Sequence, residues 1–592
     1  MNGRIKNITF VVLLVLMALP ALQYRFGMFK TRPLNGDFVL HEKPSFTHES
    51  WMNGTFQSEF ENYLNDHIGF RNFFVRLNNQ IDFSFFRKAN AEGVVVGKDG
   101  MPFEFDYIRA YNGNDFIGLK TIEKKINRLK FLQDFLKEKF DIDLIFMLEP
   151  SKVRFYPEYI PDRYQQSQNT TSNYEVIRKY LDELGVRYLD LNSYFKQLKG
   201  TKPWPLYPKY GIHWSEYSMT IVADTLINYM EKLRNIAMPH YKVEKIVSGD
   251  TLSPSDYDIG KTMNLLWTLP QPQLAYPVFT FPDTSGTRPM VLSVSDSYYW
   301  NFFNTRIPKH LFANEAFWYF NAKVYPDFYF GEKWVDQLDL KTEIEKQDII
   351  LLGITDRFLY KLAWDFIDNV YALYTPRFTG DIIYKYENLI RKDAQWFDRI
   401  LEEAGRKNIS PADAIAAEAR YEAFREEQET FLVWYGTEHY REVIENDEAW
   451  KKTVIEKAAR NNLAFEEQLT LDAEYVFQSE HPGAYKKYRL IKTFEKQIRA
   501  DSVWLHKVEE KAGYYRTDTE TMIKIDAEYM ADSEINKADP FEAKTKIYEN
   551  LIRNDPQWLD NVRKKAEARG KTLEEMIRAD AKYMARQDEK KK

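Results

Sequence analysis

Cysteine is absent from this 592-residue chain, which excludes disulfides, thiolate zinc sites, a cysteine nucleophile and a lipidated cysteine at the amino terminus. Charge of one sign is also lacking: 82 Lys and Arg against 88 Asp and Glu leave a net charge of −6, which gives no footprint for nucleic acid. Histidine is scarce, and the nine present are what remains for acid–base work near neutral pH. What the chain does have is 44% hydrophobic and 29% charged residues, the balance of a folded, soluble body. It is too long for one core, so two or three domains are expected. Aromatics reach 16%, with 39 Tyr and 41 Phe; they imply either large aromatic cores or a groove whose ring faces pack on sugars.

An apolar run from Ile8 to Leu22 opens the chain behind Arg4 and Lys6, and Arg25 closes it. That length lies between a signal-peptide core and a full span, no small-x-small cleavage site follows, and an uncleaved anchor is the favoured reading. Lys30 and Arg32 balance the upstream charges, so orientation is left open. From Pro33 to about Thr55 the polar composition reads as a linker.

Between Leu119 and Thr375 the pattern alternates. Helical periodicity in Thr121–Phe140, Asn173–Leu184, Glu216–Leu233 and Phe358–Val370 is interleaved with strand-like runs at Ile142–Leu148, Val186–Leu191, Met290–Val294 and Asp348–Ile354. Such alternation predicts a parallel sheet covered on both faces, with sites gathered beyond the carboxyl ends of the strands. The stretch RPMVLSVSDSYYWNFFN, Arg288 to Asn304, carries the sharpest candidate. A buried strand breaks at Ser295-Asp296-Ser297, where a small hydroxyl can be held at the sheet rim beside free backbone N–H groups. Ser297 is the candidate nucleophile, with Tyr298 and Asn301 as candidates for holding an oxyanion. His213, in Tyr210-Gly211-Ile212-His213-Trp214-Ser215, is the candidate base, since serine needs one within hydrogen-bond reach. Lys152 and Arg357 also follow strands and are candidates for substrate positioning.

Five blocks in order, Asp66-His67-Ile68-Gly69-Phe70-Arg71, Val96-Gly97-Lys98-Asp99-Gly100, Pro150-Ser151-Lys152 with Tyr156-Pro157, His213-Trp214 and Ser295-Asp296-Ser297-Tyr298, resemble AlgJ/AlgX-like proteins. These are SGNH-hydrolase-like O-acetyltransferases of bacterial exopolysaccharides such as alginate. The resemblance covers roughly residues 56–378. It implies a cell-envelope location, a serine nucleophile matching Ser297, a histidine base matching His213, and a membrane-bound O-acyltransferase that supplies the acetyl group. Two positions depart from the family pattern. Gly211 stands where Asp-x-His-Trp has its aspartate, and Ser295 where Gly-Asp-Ser has its glycine. Asp190 or Glu216 could orient His213 instead.

The carboxyl third repeats internally. Trp396, Trp450, Trp504 and Trp558 are 54 residues apart, and Asp393, Asp447, Asp501 and Asp555 keep step, as do Tyr421, Tyr475, Tyr529 and Tyr583. Each unit is expected to hold two or more helices with Trp, Ala and Tyr facing a shared core, and the aspartates to act as caps. Ser410, Asp518 and Thr572 precede the next helix at N-cap positions, with capping-box partners Asp413 and Glu575. Such arrays recruit partners or drive self-assembly.

The expected architecture is therefore α/β, an SGNH-like parallel sheet flanked by helices and followed by an all-α array of four repeats. Residues 1–25 are the signal anchor or signal peptide, 26–55 the linker, 56–378 the acyltransferase domain and 380–592 the array. The expected function is serine-dependent O-acetyl transfer to hydroxyls of an exopolysaccharide, with no cofactor and no metal. A polysaccharide acetyl-esterase, or a catalytically weak scaffold, are the alternatives.

Overall fold

The computed structural model describes residues 3–36, 39–165, 171–249, 253–282, 285–538 and 540–590. The chain divides into two compact units, Met1–Val370 and Tyr371–Lys592.

The first unit is built on a six-stranded sheet in the order Tyr188–Asp190, Asp143–Leu148, Ile349–Ile354, Val291–Ser295, Ala316–Tyr319, Lys323–Tyr325. Every pairing is parallel except the last. The three central strands are buried at every position, as continuous Val/Ile/Leu runs must be when helices cover both faces. Each such side chain taken from water contributes about 1.5–3 kcal/mol, so Val291–Ser295 is held where its carboxyl end opens at the sheet rim. The long helices Leu119–Phe140 and Glu216–Arg234 start and end within a few residues of their expected limits.

Two expectations for this unit need correction. The helix expected over Phe358–Val370 is interrupted, because Leu362, Ala363, Trp364 and Asp365 all have left-handed φ between 41° and 66°. Leu362 and Ala363 are fully buried there, and Asn321 donates to the Trp364 carbonyl at 2.8 Å, so tertiary packing overrides helical periodicity. The last two strands, Ala316–Tyr319 and the edge strand Lys323–Tyr325, are rich in aromatics. Trp300, Phe317 and Tyr325 pack there edge-to-face or tilted with ring centroids 4.7–6.1 Å apart, placing part of the aromatic excess in a core. Within the expected linker, His48–Met52 forms a short helix capped by Thr47.

The second unit is all-helical among its described residues. Helices Ala394–Lys407, Glu448–Asn461, Ser502–Tyr515 and Pro556–Ala568 each start at a repeated aspartate, whose carboxylate accepts the N–H of the repeated tryptophan at 2.9–3.0 Å. The alanines that follow, such as Ala458 and Ala473, are buried at 5% and 0%. Thr572 and Glu575 form the reciprocal capping box. The tyrosines do not join this core: Tyr421, Tyr475, Tyr529 and Tyr583 are 59%, 73%, 74% and 60% exposed. Alanines at the buried positions of these helices let them approach closely, which leaves the large ring on the outside. Lys457, Lys511 and Lys565 add periodic ion pairs to Asp472, Asp526 and Asp580 at 2.6–2.8 Å.

A fragment from Gly380 to Lys592 is expected to give strong helical circular dichroism and a cooperative melt, since its aromatic and alanine core closes on itself. Phe477→Ala, at a fully buried site, should lower the stability of that fragment by about 3–5 kcal/mol, read from the shift in its urea midpoint. A disordered fragment would exclude autonomous folding.

Candidate active site

Ser295 ends the buried strand, and the chain turns through Asp296-Ser297-Tyr298 into the short helix Tyr299–Asn304. Asp296 holds this turn. Fully buried, it accepts the Tyr298 N–H through Oδ1 at 3.0 Å, and through Oδ2 the Thr355 N–H at 3.0 Å and the Thr355 hydroxyl at 2.6 Å. The turn after one central strand is thereby tied to the turn after its neighbour. Beneath it Glu149 lies buried and accepts from Ser295 Oγ at 3.1 Å. Burial, with Asp296 close by, pushes the Glu149 carboxyl well above the usual carboxylate range.

The His213 loop is pinned to the same place from the other side. Tyr298 Oη donates to the Ile212 carbonyl at 2.8 Å. The His213 and Tyr298 rings lie 4.9 Å apart. Nε2 of His213 stands 2.9 Å from Ser297 Oγ, and Nδ1 is 2.7 Å from Oδ2 of Asp258. The other oxygen of Asp258 accepts the N–H groups of Ile212 and Ile259, both at 2.7 Å. Ser297, His213 and Asp258 thus form one hydrogen-bonded line from three separate segments.

Asp258 is the residue that sequence reasoning missed, and it displaces both expected candidates. Asp190 caps the helix Leu191–Leu198 and accepts from Tyr174 and Ser193. Glu216 starts the helix that Ser215 caps, and its carboxyl is raised chiefly by burial and then by Asp256. Neither meets His213. Gly211 explains how the replacement fits. A β-carbon there would lie 2.5 Å from Pro208 Cγ and 2.6 Å from the Ser255 carbonyl oxygen. The segment that brings in Asp258 occupies the space a side chain at 211 would need. The only signal in sequence was Ser253-Pro254-Ser255-Asp256-Tyr257-Asp258, an acidic turn far from the histidine.

The remaining candidates divide. The Tyr298 N–H is already bonded to Asp296, so it is not free to hold an oxyanion, whereas among the described residues none accepts the N–H of Ser297. Asn301 Nδ2 points to Ser255 Oγ at 3.3 Å. Lys152 is buried and donates to the carbonyls of Pro102, Lys209 and Gly211 at 3.2, 2.7 and 2.8 Å. Burial brings its ammonium down to about 7 against the pull of Asp258. It braces the His213 loop. Arg357 pairs with Glu104 and with Asp106 and lies over the rings of Tyr107 and Phe358. Glu104, raised mainly by burial, also feels the charges of Asp258 and His213, so this ion pair belongs to the surroundings of the triad.

Lys152→Met is expected to cut ester hydrolysis by about 10–100-fold, since three buried carbonyls lose their donor at a cost of roughly 1–3 kcal/mol each. Steady-state kinetics beside a thermal melt separates the loss of alignment from the loss of fold. Wild-type turnover would show that the loop does not depend on this brace.

Residues 94–275 match the family model described as SGNH hydrolase-like domain, acetyltransferase AlgX. The match includes His213 and Asp258 and ends before Ser297. Over those residues the chain is similar to the SGNH hydrolase-like domain of AlgX-type acetyltransferases. Among solved structures, the O-acetyltransferase domain of Pseudomonas putida AlgJ is similar at 16% identity and a TM-score of 0.33, over 47% of this chain and 99% of that one. Pseudomonas aeruginosa AlgX gives 15% identity and 0.29 over 47% and 67%. Bacillus cereus PatB1 gives 14% and 0.24 over 41% and 91%. No curated protein matches the chain.

Proposed function

We propose that the first unit is a serine-dependent O-acetyltransferase that moves an acetyl group from a donor to hydroxyls of a cell-envelope polysaccharide. The observation that carries this reading is the continuous Asp258–His213–Ser297 line of hydrogen bonds at the rim of the sheet. His213 Nε2 takes the proton of Ser297 as Oγ attacks the acetyl carbonyl, and Asp258 holds the imidazole with its other proton on Nδ1 and stabilises the imidazolium. The free N–H of Ser297, with the amide of Asn301, supports the negative oxygen of the tetrahedral intermediate. Collapse expels the donor oxygen, which takes the proton from His213 and leaves acetyl on Ser297. A sugar hydroxyl then attacks this ester as His213 accepts its proton, and the bond from acetyl to Ser297 Oγ breaks as His213 returns that proton to Oγ, which regenerates the serine. Water in place of the sugar would make the same site an acetyl-esterase.

A membrane-bound O-acyltransferase is the donor partner in this reading. Supporting an envelope location, the helix Arg4–Phe26 is long and apolar enough to cross a bilayer, and its apolar stretch is exposed. The helical unit is proposed to recruit a partner or to assemble copies of the chain. In support, its repeated tyrosines are retained in every copy although they are exposed. The test of the reaction is trapping: incubating the protein with a chromogenic acetyl ester and adding short oligosaccharides should divert acetyl from water to sugar, read by mass spectrometry. Acetate as the sole product with every acceptor tried would favour the esterase.

A further inference from the structure

The helix Arg71–Phe86 is amphipathic in the inverse sense for a soluble surface. Its inward face is mostly polar: Arg76, Asn79 and Gln80 are 4%, 7% and 3% exposed, with Phe83 at 4% the apolar exception. Arg76 donates to the carbonyls of Leu265 and Pro33 at 3.1 and 2.5 Å, and Asn79 to that of Met263 at 3.0 Å. Its outward face is mostly apolar, with Phe74, Ile81 and Phe85 at 48%, 42% and 79% exposure and Phe73 and Phe86 beside them at 42% and 71%, and exposed Asn78 the polar residue among them. The spacing of seven and then four residues places Phe74, Ile81 and Phe85 on one stripe. Covering each ring or branched chain is worth about 1.5–3 kcal/mol, so this face is built for a medium other than water.

The neighbouring helix indicates which medium. Gly3–Phe26 contains the apolar Arg4–Phe26 stretch, and its last turns are locked onto the corner that precedes Arg71. A β-carbon at Gly69 would lie 2.0 Å from the Pro20 carbonyl oxygen and 2.7 Å from Gln23 Cβ. The hydroxyls of Tyr24 and Tyr63 are 2.7 Å apart, and the Phe29 and Phe70 rings 5.8 Å. A helix that spans the bilayer and ends at this corner delivers Arg71–Phe86 to the membrane surface. Exposed Lys30, Arg32 and Lys88 suit anionic headgroups there. An apolar face with basic flanks lies in the plane of the interface.

We propose that the outward face of Arg71–Phe86 is seated in the interfacial layer of the lipid bilayer, so that the protein is held by one spanning helix and one helix lying in the surface. The inference rests on reading Gly3–Phe26 as a retained anchor. It has a consequence for the site. The inward side chains of the same helix hold the carbonyls of Met263, Asn264 and Leu265, directly after the short helix Asp258–Thr262 that presents Asp258. The triad is thus braced from the membrane side, where an acetyl group supplied by a membrane partner would emerge.

Because the chain has no cysteine, single nitroxide labels can be placed without background. Full-length Phe74→Cys, Ile81→Cys, Phe85→Cys, Leu14→Cys and Glu138→Cys variants would be labelled and reconstituted in vesicles of phosphatidylethanolamine and phosphatidylglycerol. Collision with oxygen and with a polar nickel chelate then reads the depth of each label. The expected result is oxygen-rich, nickel-poor signals at Phe74, Ile81 and Phe85, shallower than at Leu14, with Glu138 in water. Water-like signals at the three sites with Leu14 in lipid would overturn the seating and leave the anchor standing. Poor access to both agents would mean that protein covers the face, which also overturns it. Leu14 in water would remove the anchor and the inference together.

Discussion

Ser297→Ala is expected to bring hydrolysis of a chromogenic acetyl ester to background, a loss on the order of 10⁶-fold if the site works as a serine triad. Ser297 is only partly buried and its hydroxyl is bonded to His213, so the variant should fold and melt as the parent does. His213→Ala should be nearly as damaging. The double variant should be no worse than either single one, because nucleophile and base act as a unit and their losses do not add. Unchanged turnover in Ser297→Ala would remove this serine from the reaction, whatever its geometry. Additive losses would mean that His213 works through something other than the Ser297 proton.

Much of the first unit was legible because its signals are local. Asp143–Leu148, Val291–Ser295 and Ile349–Ile354 are uninterrupted apolar runs, and a run of that kind between helices has few alternatives to a buried parallel strand. Ser297 and His213 could be paired from sequence because each sits where a local element ends, one after a strand and one before a capped helix. The repeats were legible for a different reason: four copies of one pattern average out accidental residues, and the aspartate caps followed from position alone.

What could not be read depended on distance. Asp258 reaches His213 across 45 residues of sequence, and nothing in its own neighbourhood distinguishes it from Asp256, which instead accepts from Tyr276 at 2.9 Å. The exposure of Tyr421 and its equivalents was hidden too, because helical periodicity gives a residue's face and not which face a neighbouring helix covers. Lys152 was assigned to substrate for a related reason. A lysine after a strand looks available until the three carbonyls that surround it are known.

Asp258→Asn is the change that tests how this site compensates for Gly211. The asparagine can keep its oxygen on the Ile212 and Ile259 N–H groups, so the loop should hold its shape. Its amide nitrogen would then face His213 Nδ1 and favour the tautomer with the proton on Nε2, where it cannot accept from Ser297. A loss of about 10⁴-fold in kcat is expected, the scale seen when a triad aspartate becomes asparagine with its geometry kept. Asp190→Asn and Glu216→Gln should leave turnover near that of the parent, as neither carboxylate meets the histidine. Adding Gly211→Asp to Asp258→Asn should not restore activity. The β-carbon at 211 has no room between Pro208 and Ser255, and moving that segment aside also moves residue 258. Recovery in the double variant would show that the loop can yield, and that position 211 remains usable for the carboxylate. Full activity in Asp258→Asn alone would mean that His213 needs no carboxylate partner in this protein.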